Sequence, residues 1–322
     1  MKKNHNKIAV VTGCCGFIGS HLVDFLIKKK FKVIGLDNLS TGKIQNLKFF
    51  NNKNFKFYKI DLLKNNLDKY FKGVGIVYHF AANADVRFGL DHRDKDIKQN
   101  IIVTHKILEQ LVKNNIKKIV FSSTGSVYGE AKKIPTTENS SFPIQTSLYG
   151  ASKLSAEGLI SAYSEGYDIK SYIYRFVSIL GPRYSHGHVY DFIKKLEKNK
   201  KKLHVLGDGN QKKSYLHVYD CIDAIWKSTK YFKKKVNIIN LGTNEYISVK
   251  QSIKIILKEI NLNPKLIFQK KKRGWIGDNP FIFLDIKKIK STGWKPKYTI
   301  KKSVQETVRY IKKNKWILKK NQ

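Results

Sequence analysis

The sequence predicts an α/β protein, in which a doubly wound, mainly parallel sheet is followed by a smaller, mixed α/β lobe towards the C-terminus. Three observations support this fold class. Apolar strand candidates alternate with amphipathic helix candidates, a glycine-rich turn joins the first strand to the first helix, and polar residues directly follow several strands. In such a sheet, ligands bind in a crevice at the carboxyl ends of the strands.

The predicted elements alternate in the order that a parallel sheet requires. Strands are predicted at 7–12, 32–36, 55–60, 75–80, 117–122 and 170–176, and helices at 17–30, 95–114 and 148–165. After residue 176 the pattern is mixed, with helices near 187–198, 219–230, 248–260 and 300–316. We therefore expect a first domain over residues 1–176 and a second lobe mainly over 177–322, with a strand at 236–240 returning to the first sheet.

The first predicted strand runs into three glycines, Gly13, Gly16 and Gly19, in the spacing Gly-x-x-Gly-x-x-Gly. Glycines here let the backbone approach a pyrophosphate, which the free N–H groups of the following helix then hold. The second strand ends in Asp37, which is placed to accept hydrogen bonds from a ribose 2′-hydroxyl and so favours NAD over its phosphorylated form. Loop and acid together predict that 1–176 is an NAD-binding Rossmann domain.

A hydroxyl cluster from Ser122 to Ser126 follows another apolar strand, and Tyr149 and Lys153 lie downstream on one face of a predicted helix. A free phenol has a pKa of about 10, and lowering it to near 7 takes about 4 kcal/mol. One cation at roughly 4 Å in an effective dielectric near 20 supplies a comparable amount. We therefore expect Lys153 to lower the pKa of Tyr149, so that the phenolate acts as a base.

With these motifs in this order, the chain resembles the extended short-chain dehydrogenase/reductase family, and within it the NAD-dependent nucleotide-sugar epimerases and dehydratases, most nearly the UDP-glucose 4-epimerases. The resemblance covers nearly the whole chain. It rests on the segments 12–19, 37–40, 61–62, 79–82, 99–100, 122–129, 149–153, 175–183 and 207–209. These motifs are very specific for the family and less specific for the substrate.

The resemblance implies roles for individual residues. Thr124, Tyr149 and Lys153 would form the catalytic group. NAD would be bound by Tyr149 and Lys153 together with Gly13, Gly16, Phe17, Ile18, Gly19, Asp37, Asn38, Asp61, Leu62, Phe80, Ala81, Ala82, Asn100 and Val177. The predicted substrate contacts are Arg87, Thr124, Ser178, Arg183, Lys213, Arg273 and Asp278, and no metal site is expected.

The implied reaction is epimerisation of a nucleotide-diphosphate sugar at C4 through a transient 4-keto intermediate, with NAD regenerated in each cycle. The related 4,6-dehydratases usually carry an Asp-Glu pair directly after the active-site threonine, where this chain has Gly125 and Ser126. Two alternatives stay open. One is another reaction on the same scaffold, such as epimerisation elsewhere on the ring, dehydration or ketosugar reduction. The other is a non-catalytic module that binds NAD or a polyanion.

The net charge of +39 raises the question of nucleic-acid binding. Only six of the 63 basic residues are arginine, and the lysines are spread along the whole chain. We therefore expect no specific nucleic-acid partner. Where lysine fills most basic positions, a retained arginine such as Arg175 or Arg183 is a candidate for binding phosphate through its planar fork, and an ordinary ion pair is the alternative that stays open.

Cysteine usage and hydropathy predict the compartment. The three cysteines, Cys14, Cys15 and Cys221, give no disulfide framework, which indicates a reducing environment. No segment approaches the roughly 18 apolar residues of a membrane span, so we expect a cytoplasmic protein with no membrane partner. The family resemblance also implies a homodimer, with the helices at 95–114 and 148–165 as candidates for its interface.

Overall fold

A seven-stranded parallel sheet forms the centre of the computed structural model, which describes residues 7–83, 92–140, 144–270 and 281–319. The fourteen strands of these ranges are β1 (Ile8–Thr12), β2 (Lys32–Asp37), β3 (Phe55–Lys59), β4 (Ile76–His79), β5 (Lys118–Thr124), β6 (Lys170–Phe176), β7 (Ser178–Leu180), β8 (Lys202–Val205), β9 (Lys212–Lys213), β10 (Tyr215–His217), β11 (Val236–Leu241), β12 (Ile247–Ser248), β13 (Lys265–Phe268) and β14 (Phe281–Ile282). The central sheet has the order β11-β6-β5-β4-β1-β2-β3. The strand order reverses between β1 and β4, and a ligand crevice forms at such a point.

Helices lie on both faces of this sheet. The helices of the described ranges are α1 (Phe17–Lys28), α2 (Asp68–Phe71), α3 (Arg93–Asp96), α4 (Val103–Lys113), α5 (Leu148–Tyr167), α6 (His188–Lys198), α7 (Val218–Tyr231), α8 (Val249–Ile260), α9 (Lys287–Lys290) and α10 (Ile300–Lys313). Apolar residues of α1 and α7 form the core on one face, and those of α4 and α5 form the core on the other. This arrangement confirms the predicted doubly wound fold.

The central strands are apolar on both faces because helices cover both. In β1, Ala9, Val10 and Val11 are all fully buried. Their side chains point alternately to the two faces, so Ala9 and Val11 join the core under α1, while Val10 joins the core under α4. A near-continuous apolar run is what a strand in the middle of a parallel sheet requires.

The helix predicted over 95–114 is interrupted in the structure. A π-helical turn at Ile97–Ile102 separates α3 from α4. The side chain of Asn100 in this turn donates to Ser152 Oγ of α5 at 2.8 Å. The backbone carbonyl of Asn100 accepts from Thr104 Oγ1 at 2.6 Å. The wider turn therefore directs a buried amide towards α5, and π-helical turns of this kind occur frequently at functional sites.

The second lobe contains short strands in three small sheets. β7 pairs with β10, β8 pairs with β13, and β9 lies between β12 and β14. Trp294 is fully buried beneath them and donates its indole N–H to the carbonyl of Asp220 at 3.2 Å. Strands of two to four residues are too short to show a period of two, which explains why the sequence pattern did not predict them. Across the described ranges, no helix combines the length and apolarity needed to cross a bilayer.

Arg183 joins the second lobe to α1. Its side chain is 1% exposed, and its guanidinium donates to Asp24 Oδ2 at 2.5 Å. The imidazole of His21 contacts the carbonyl of Pro182 at 2.9 Å beside this ion pair. This placement corrects the expectation that Arg183 binds the substrate, because the buried guanidinium is engaged by Asp24 and has almost no free surface for a phosphate.

Replacement of Arg183 by methionine is predicted to destabilise the protein by about 3–5 kcal/mol, because Asp24 is left buried without its cation. Burial already raises the pKa of Asp24, and Arg183 opposes that shift. Without Arg183, the folded pKa rises further above the unfolded value, and such a carboxyl costs stability at every pH above the unfolded pKa. The deficit measured by urea unfolding should therefore shrink as the pH falls from 7 towards 4.

Arg309→Met is the matched control for this measurement. Arg309 pairs with Glu259 at 2.9 Å, but its side chain is 60% exposed, so its loss should destabilise the protein much less than the loss of Arg183. Equal destabilisation by the two substitutions would contradict a structural role for the buried pair.

Candidate active site

The candidate site lies where the carboxyl ends of the central strands meet. Thr12, the last residue of β1, is aligned with Leu36 of β2 on one side and with His79 of β4 on the other. His79 in turn is aligned with Phe121 of β5. The residues that follow these four strands therefore share one edge of the sheet, and most of the sequence-predicted site residues are among them.

The glycine loop packs too tightly for side chains. Gly13 has a φ of +69°, and a Cβ on it would lie 2.8 Å from the backbone nitrogen of Ala81. A Cβ on Gly19 would lie 2.1 Å from the carbonyl oxygen of Gly13. The N-terminus of α1 carries no side-chain cap at Gly16 and no acidic residue in its first turn, so its N–H groups and positive end are left for an anion. Phe17 is buried, whereas Ile18 is partly exposed.

Asp37 lies at the end of β2 beside this loop. Its carboxylate accepts N–H bonds from Cys15 at 2.9 Å and from Leu39 at 2.8 Å, and each oxygen keeps acceptor capacity for a further donor. Burial raises the pKa of Asp37, and the two N–H bonds oppose the rise. Asn38 follows with a partly exposed side chain whose oxygen accepts from the N–H of Ser40 at 3.0 Å. Loop, helix end and acid together fit a dinucleotide.

The predicted adenine neighbours lie next to Asp37. Ile60 donates its N–H to the carbonyl of Asp37 at 2.9 Å, which brings Asp61 and Leu62 to the same edge. Leu62 is buried, and the carboxylate of Asp61 accepts from the N–H of Leu63 at 2.9 Å.

Phe80, Ala81 and Ala82 follow β4 and are partly exposed along the crevice. Phe80 and Ala81 are held by N–H bonds to Thr12 Oγ1, both at 3.1 Å. Val177 follows β6 with 5% of its surface exposed, so little of it is available to a ligand.

Asn100 is placed behind the crevice rather than on its surface. The residue is 1% exposed, its amide oxygen accepts from the N–H of Asn83 at 2.9 Å, and its amide nitrogen donates to Ser152. In this geometry Asn100 positions the loop after β4 and the start of α5, and its expected contact with NAD stays a prediction.

Tyr149 and Thr124 meet across the interface between α5 and β5. The side chains of the two residues are hydrogen-bonded. Thr124 Oγ1 also contacts Ser126 Oγ at 3.2 Å and accepts from the N–H of Ser126 at 3.1 Å. Ser147 caps α5 by accepting from the N–H of Gly150 at 3.0 Å, which places Tyr149 in the first helical turn. The structure therefore brings together Thr124 and Tyr149, two members of the expected catalytic group.

Lys153 lies one turn further along α5 and is 2% exposed. Its ammonium donates to the carbonyl of Ser122 at 2.8 Å and lies 4.6 Å from the ring centroid of Phe121. Burial lowers the pKa of Lys153 to about 7, and the carboxylates of Glu157 and Asp96 oppose the fall.

The pKa of Tyr149 corrects one expectation. From the sequence we expect Lys153 to lower the pKa of Tyr149 towards neutrality. In the structure, burial raises this pKa to about 12. The hydrogen bond to Thr124 opposes the rise, and the charge of Asp96 adds to it. Removal from water disfavours the charged form of both groups and is the largest influence on each pKa. Ionisation of Tyr149 therefore depends on positive charge at the site.

Arg175 does not face the crevice as a phosphate ligand. Its guanidinium contacts the Glu157 carboxylate through two nitrogens, at 3.1 and 2.6 Å to the nearest oxygens, and lies 4.6 Å from the ring centroid of Tyr128. Arg175 thus forms the ion pair that was the open alternative to phosphate binding. Glu157 was not among the sequence-predicted residues, although its place four residues after Lys153 on the same helix could have identified it.

The remaining substrate candidates are only partly assembled. Ser178 is exposed at the start of β7. Burial lowers the pKa of His188 to about 3, and the charge of Lys213 contributes to this shift, so Lys213 lies near His188. Arg87, Arg273 and Asp278 lie outside the described residues.

Comparisons with known proteins agree with this geometry. Residues 9–242 match the NAD dependent epimerase/dehydratase family. The chain is 37% identical to the "Putative UDP-glucose 4-epimerase" of Methanocaldococcus jannaschii, over 95% of this chain and 98% of that protein. The crystal structure of a UDP-galactose 4-epimerase is similar with a TM-score of 0.86 and 32% identity, covering 96% of this chain and all of that chain.

A UDP-glucuronic acid 4-epimerase from Bacillus cereus, solved in complex with UDP-glucuronic acid and NAD, is also similar. Its TM-score is 0.87 at 30% identity, covering 95% of this chain and 99% of that chain. The similarity thus extends over both the sheet and the second lobe.

Gly19→Ala is predicted to weaken NAD binding at least tenfold, about 1.4 kcal/mol, because the new methyl group would displace the Gly13 carbonyl and open the loop. Binding can be measured by calorimetry on protein stripped of nucleotide. Gly158→Ala, within α5, is the matched control, since a Cβ there meets nothing within 4 Å. Equal NAD affinity in the two variants would refute the assignment of the loop.

Lys153→Met is predicted to change how stability depends on pH. Between pH 7 and 10, the unfolded chain carries a proton on Lys153 that the folded protein lacks, so the parent gains stability as the pH rises. The methionine variant lacks this gain, which is at most about 1.4 kcal/mol per pH unit. Urea unfolding of parent and variant across this window measures the difference. Lys254→Met on the exposed face of α8 should leave the parent's dependence unchanged, and a parallel pH dependence for Lys153→Met would contradict the predicted shift.

Proposed function

The chain belongs to the NAD dependent epimerase/dehydratase family, and we propose that it inverts the C4 carbinol of a nucleotide-diphosphate sugar. The observation that carries this proposal is the hydrogen-bonded pair of Thr124 and Tyr149 at the crevice, with Lys153 one turn away on α5. A module that only binds NAD needs the glycine loop and Asp37, but it does not need a phenol in contact with a hydroxyl group and a buried lysine beside it.

Tyr149 acts as the base and Thr124 orients the substrate. The Tyr149 oxygen takes the proton of the sugar 4-hydroxyl, while Thr124 Oγ1 fixes the direction of that hydroxyl by hydrogen bonding. The resulting 4-ketose turns its other face towards the cofactor, and Tyr149 returns the proton when C4 is reduced. Bound NAD supplies the chemistry that the side chains lack, since it accepts the C4 hydride and gives it back.

Lys153 supplies the positive charge that ionisation of Tyr149 requires. With its pKa near 7, the lysine is partly protonated at neutral pH, and the charged form favours the phenolate. Gly13, Gly16, Gly19 and Asp37 would hold the dinucleotide at the same edge of the sheet.

Dehydration is disfavoured by packing as well as by residue type. A Cβ at Gly125 would lie 2.8 Å from Cγ2 of Ile282 and 3.3 Å from the carbonyl of Phe176. An aspartate at this position therefore requires Ile282 of β14 to shift. The neighbouring Ser126 hydroxyl contacts Thr124 and is not an acid at physiological pH. C4 epimerisation needs no proton donor beyond those present.

We propose that the nucleotide is uridine diphosphate, because the names of all three similar proteins contain a UDP-sugar. The sugar differs among them, and so glucose, galactose and glucuronic acid are all candidates. Net consumption of reduced cofactor would instead favour a ketosugar reductase.

The enzyme is further proposed to be a cytoplasmic homodimer. All three cysteines are free thiols, as a reducing compartment requires. The helices expected at the interface expose apolar side chains to solvent, with Ile102 just before α4 at 41% and Leu148 of α5 at 44% exposed. Sedimentation of the purified protein tests the dimer.

Tyr149→Phe is predicted to lower turnover by about 10²–10⁴, because the only base on the 4-hydroxyl is removed. NAD binding should be kept. The measurement is conversion of a panel of UDP-, GDP-, dTDP- and CDP-sugars, with the product configuration read by NMR. Tyr167→Phe is the control, since that tyrosine ends the same helix and is 50% exposed.

Normal turnover by Tyr149→Phe with NAD bound would refute the assignment of the base. A parent protein that carries NAD but inverts no sugar at C4 would refute the proposed reaction.

A further inference from the structure

Three consecutive residues of β5 each bind one residue of α5. The Ser122 carbonyl accepts from Lys153 Nζ at 2.8 Å, the Ser123 hydroxyl donates to the Glu157 carboxylate, and the Thr124 side chain is bonded to Tyr149. Glu157 therefore takes part in the same strand–helix interface as the catalytic pair. No step of the reaction as described above uses it.

The Glu157 carboxylate is fixed from a second strand as well. Arg175 of β6 is aligned with Ser123 of β5, and its guanidinium binds both carboxylate oxygens. Glu157 is 3% exposed and Arg175 is 7% exposed. The carboxylate is therefore hydrogen-bonded from two strands, by a hydroxyl group and by a guanidinium, in a buried position.

The charged and titratable groups around Lys153 come from several elements. Asp96 of α3 accepts from the amides of Asn83 and Asn100 at 2.8 and 3.3 Å, and Tyr149 shares α5 with Lys153. His79 of β4 is fully buried and stays neutral, because burial and the nearby Lys153 charge lower its pKa to about 3. The carboxylates of Glu157 and Asp96 both oppose the fall in the pKa of Lys153, and Glu157 has the larger effect.

We propose that Glu157 is a positioning residue of the active site, whose carboxylate, held by Arg175 and Ser123, keeps the Lys153 ammonium charged so that Tyr149 can ionise. This inference rests on the proposed function, in which Tyr149 is the base. Side chains four residues apart on a helix have Cβ atoms about 5–6 Å apart, close enough for a charge in a dry interface to act on its neighbour.

The charge of Glu157 is expected to have a large effect on the protonation of Lys153. The pKa of Lys153 lies near 7, so a modest change in the local field converts the lysine from partly charged to neutral at physiological pH. Arg175 does not cancel the effect of Glu157, since it binds the carboxylate from the β6 side and the net influence on Lys153 still favours the ammonium.

Glu157→Gln tests the inference, since it removes the charge and keeps the shape and an acceptor for Ser123. We expect the alkaline limb of the kcat/KM profile to move to lower pH by about one unit. This is the size expected for one charge about four residues away on a helix, partly screened by a guanidinium. KM should change less than twofold. Glu165→Gln is the matched control, since that glutamate lies on the same helix, is 65% exposed and pairs with Lys235 at 3.4 Å.

A second readout needs no turnover. The near-ultraviolet absorbance of tyrosinate, taken as the difference between each protein and its Tyr149→Phe counterpart with NAD bound, reports ionisation of Tyr149 alone. In Glu157→Gln the titration should move to higher pH, because a neutral Lys153 no longer favours the phenolate. Equal loss of activity at every pH, with an unmoved tyrosinate titration, would overturn the inference and leave Glu157 a structural role only.

Two further variants separate folding from charge. Glu157→Gln leaves Arg175 buried without its partner, so the double variant with Arg175→Gln is measured alongside it, and it should show the same shift in both pH profiles. A double variant that titrates like the parent would also overturn the inference. If the tyrosinate titration shifts as expected but no nucleotide sugar is inverted at C4, the proposed reaction fails while the role of Glu157 in the field around Lys153 stands.

Discussion

Exclusion of water from the contact between β5 and α5 is the constraint on which the site depends. Burial favours the neutral forms of both Tyr149 and Lys153 and is the largest influence on each pKa. The surrounding groups decide how far that preference is offset. Carboxylates at Glu157 and Asp96 support the ammonium, and Arg175 binds the Glu157 carboxylate. The reactive pair is thus set by its neighbours as much as by its own spacing.

The same edge of the sheet is shaped by close backbone contact. The turn after β1 passes so near the end of β4 and the start of α1 that only glycine fits at Gly13 and Gly19. Thr12 ties these parts together, because its hydroxyl accepts from Phe80 and Ala81 and contacts His79. The surface that fits a pyrophosphate and the strand end beside it are therefore one packed unit, and a change in either one moves the other.

Much of the fold could be predicted from the sequence, because long strands and helices leave a periodic apolar pattern. The doubly wound sheet and the meeting of Thr124 with Tyr149 follow from such patterns and from the topology of parallel strands. The ligands of Arg183 and Arg175 could not be predicted, since their partners, Asp24 and Glu157, are identified only when helices pack on the sheet. Nor does spacing reveal how strongly burial shifts a pKa, which depends on atoms from several elements.

The contact between Gly125 and Ile282 limits how the chemistry of this scaffold can diversify. An acid at position 125 meets a branched side chain from a strand that is far away in sequence, so its effect depends on what occupies position 282. This dependence between positions 125 and 282 sets an order on evolutionary change. A change that makes room at position 282 must come before an acid at position 125 can serve as a new proton donor. The lobe that covers the crevice therefore constrains the type of reaction as well as the choice of sugar.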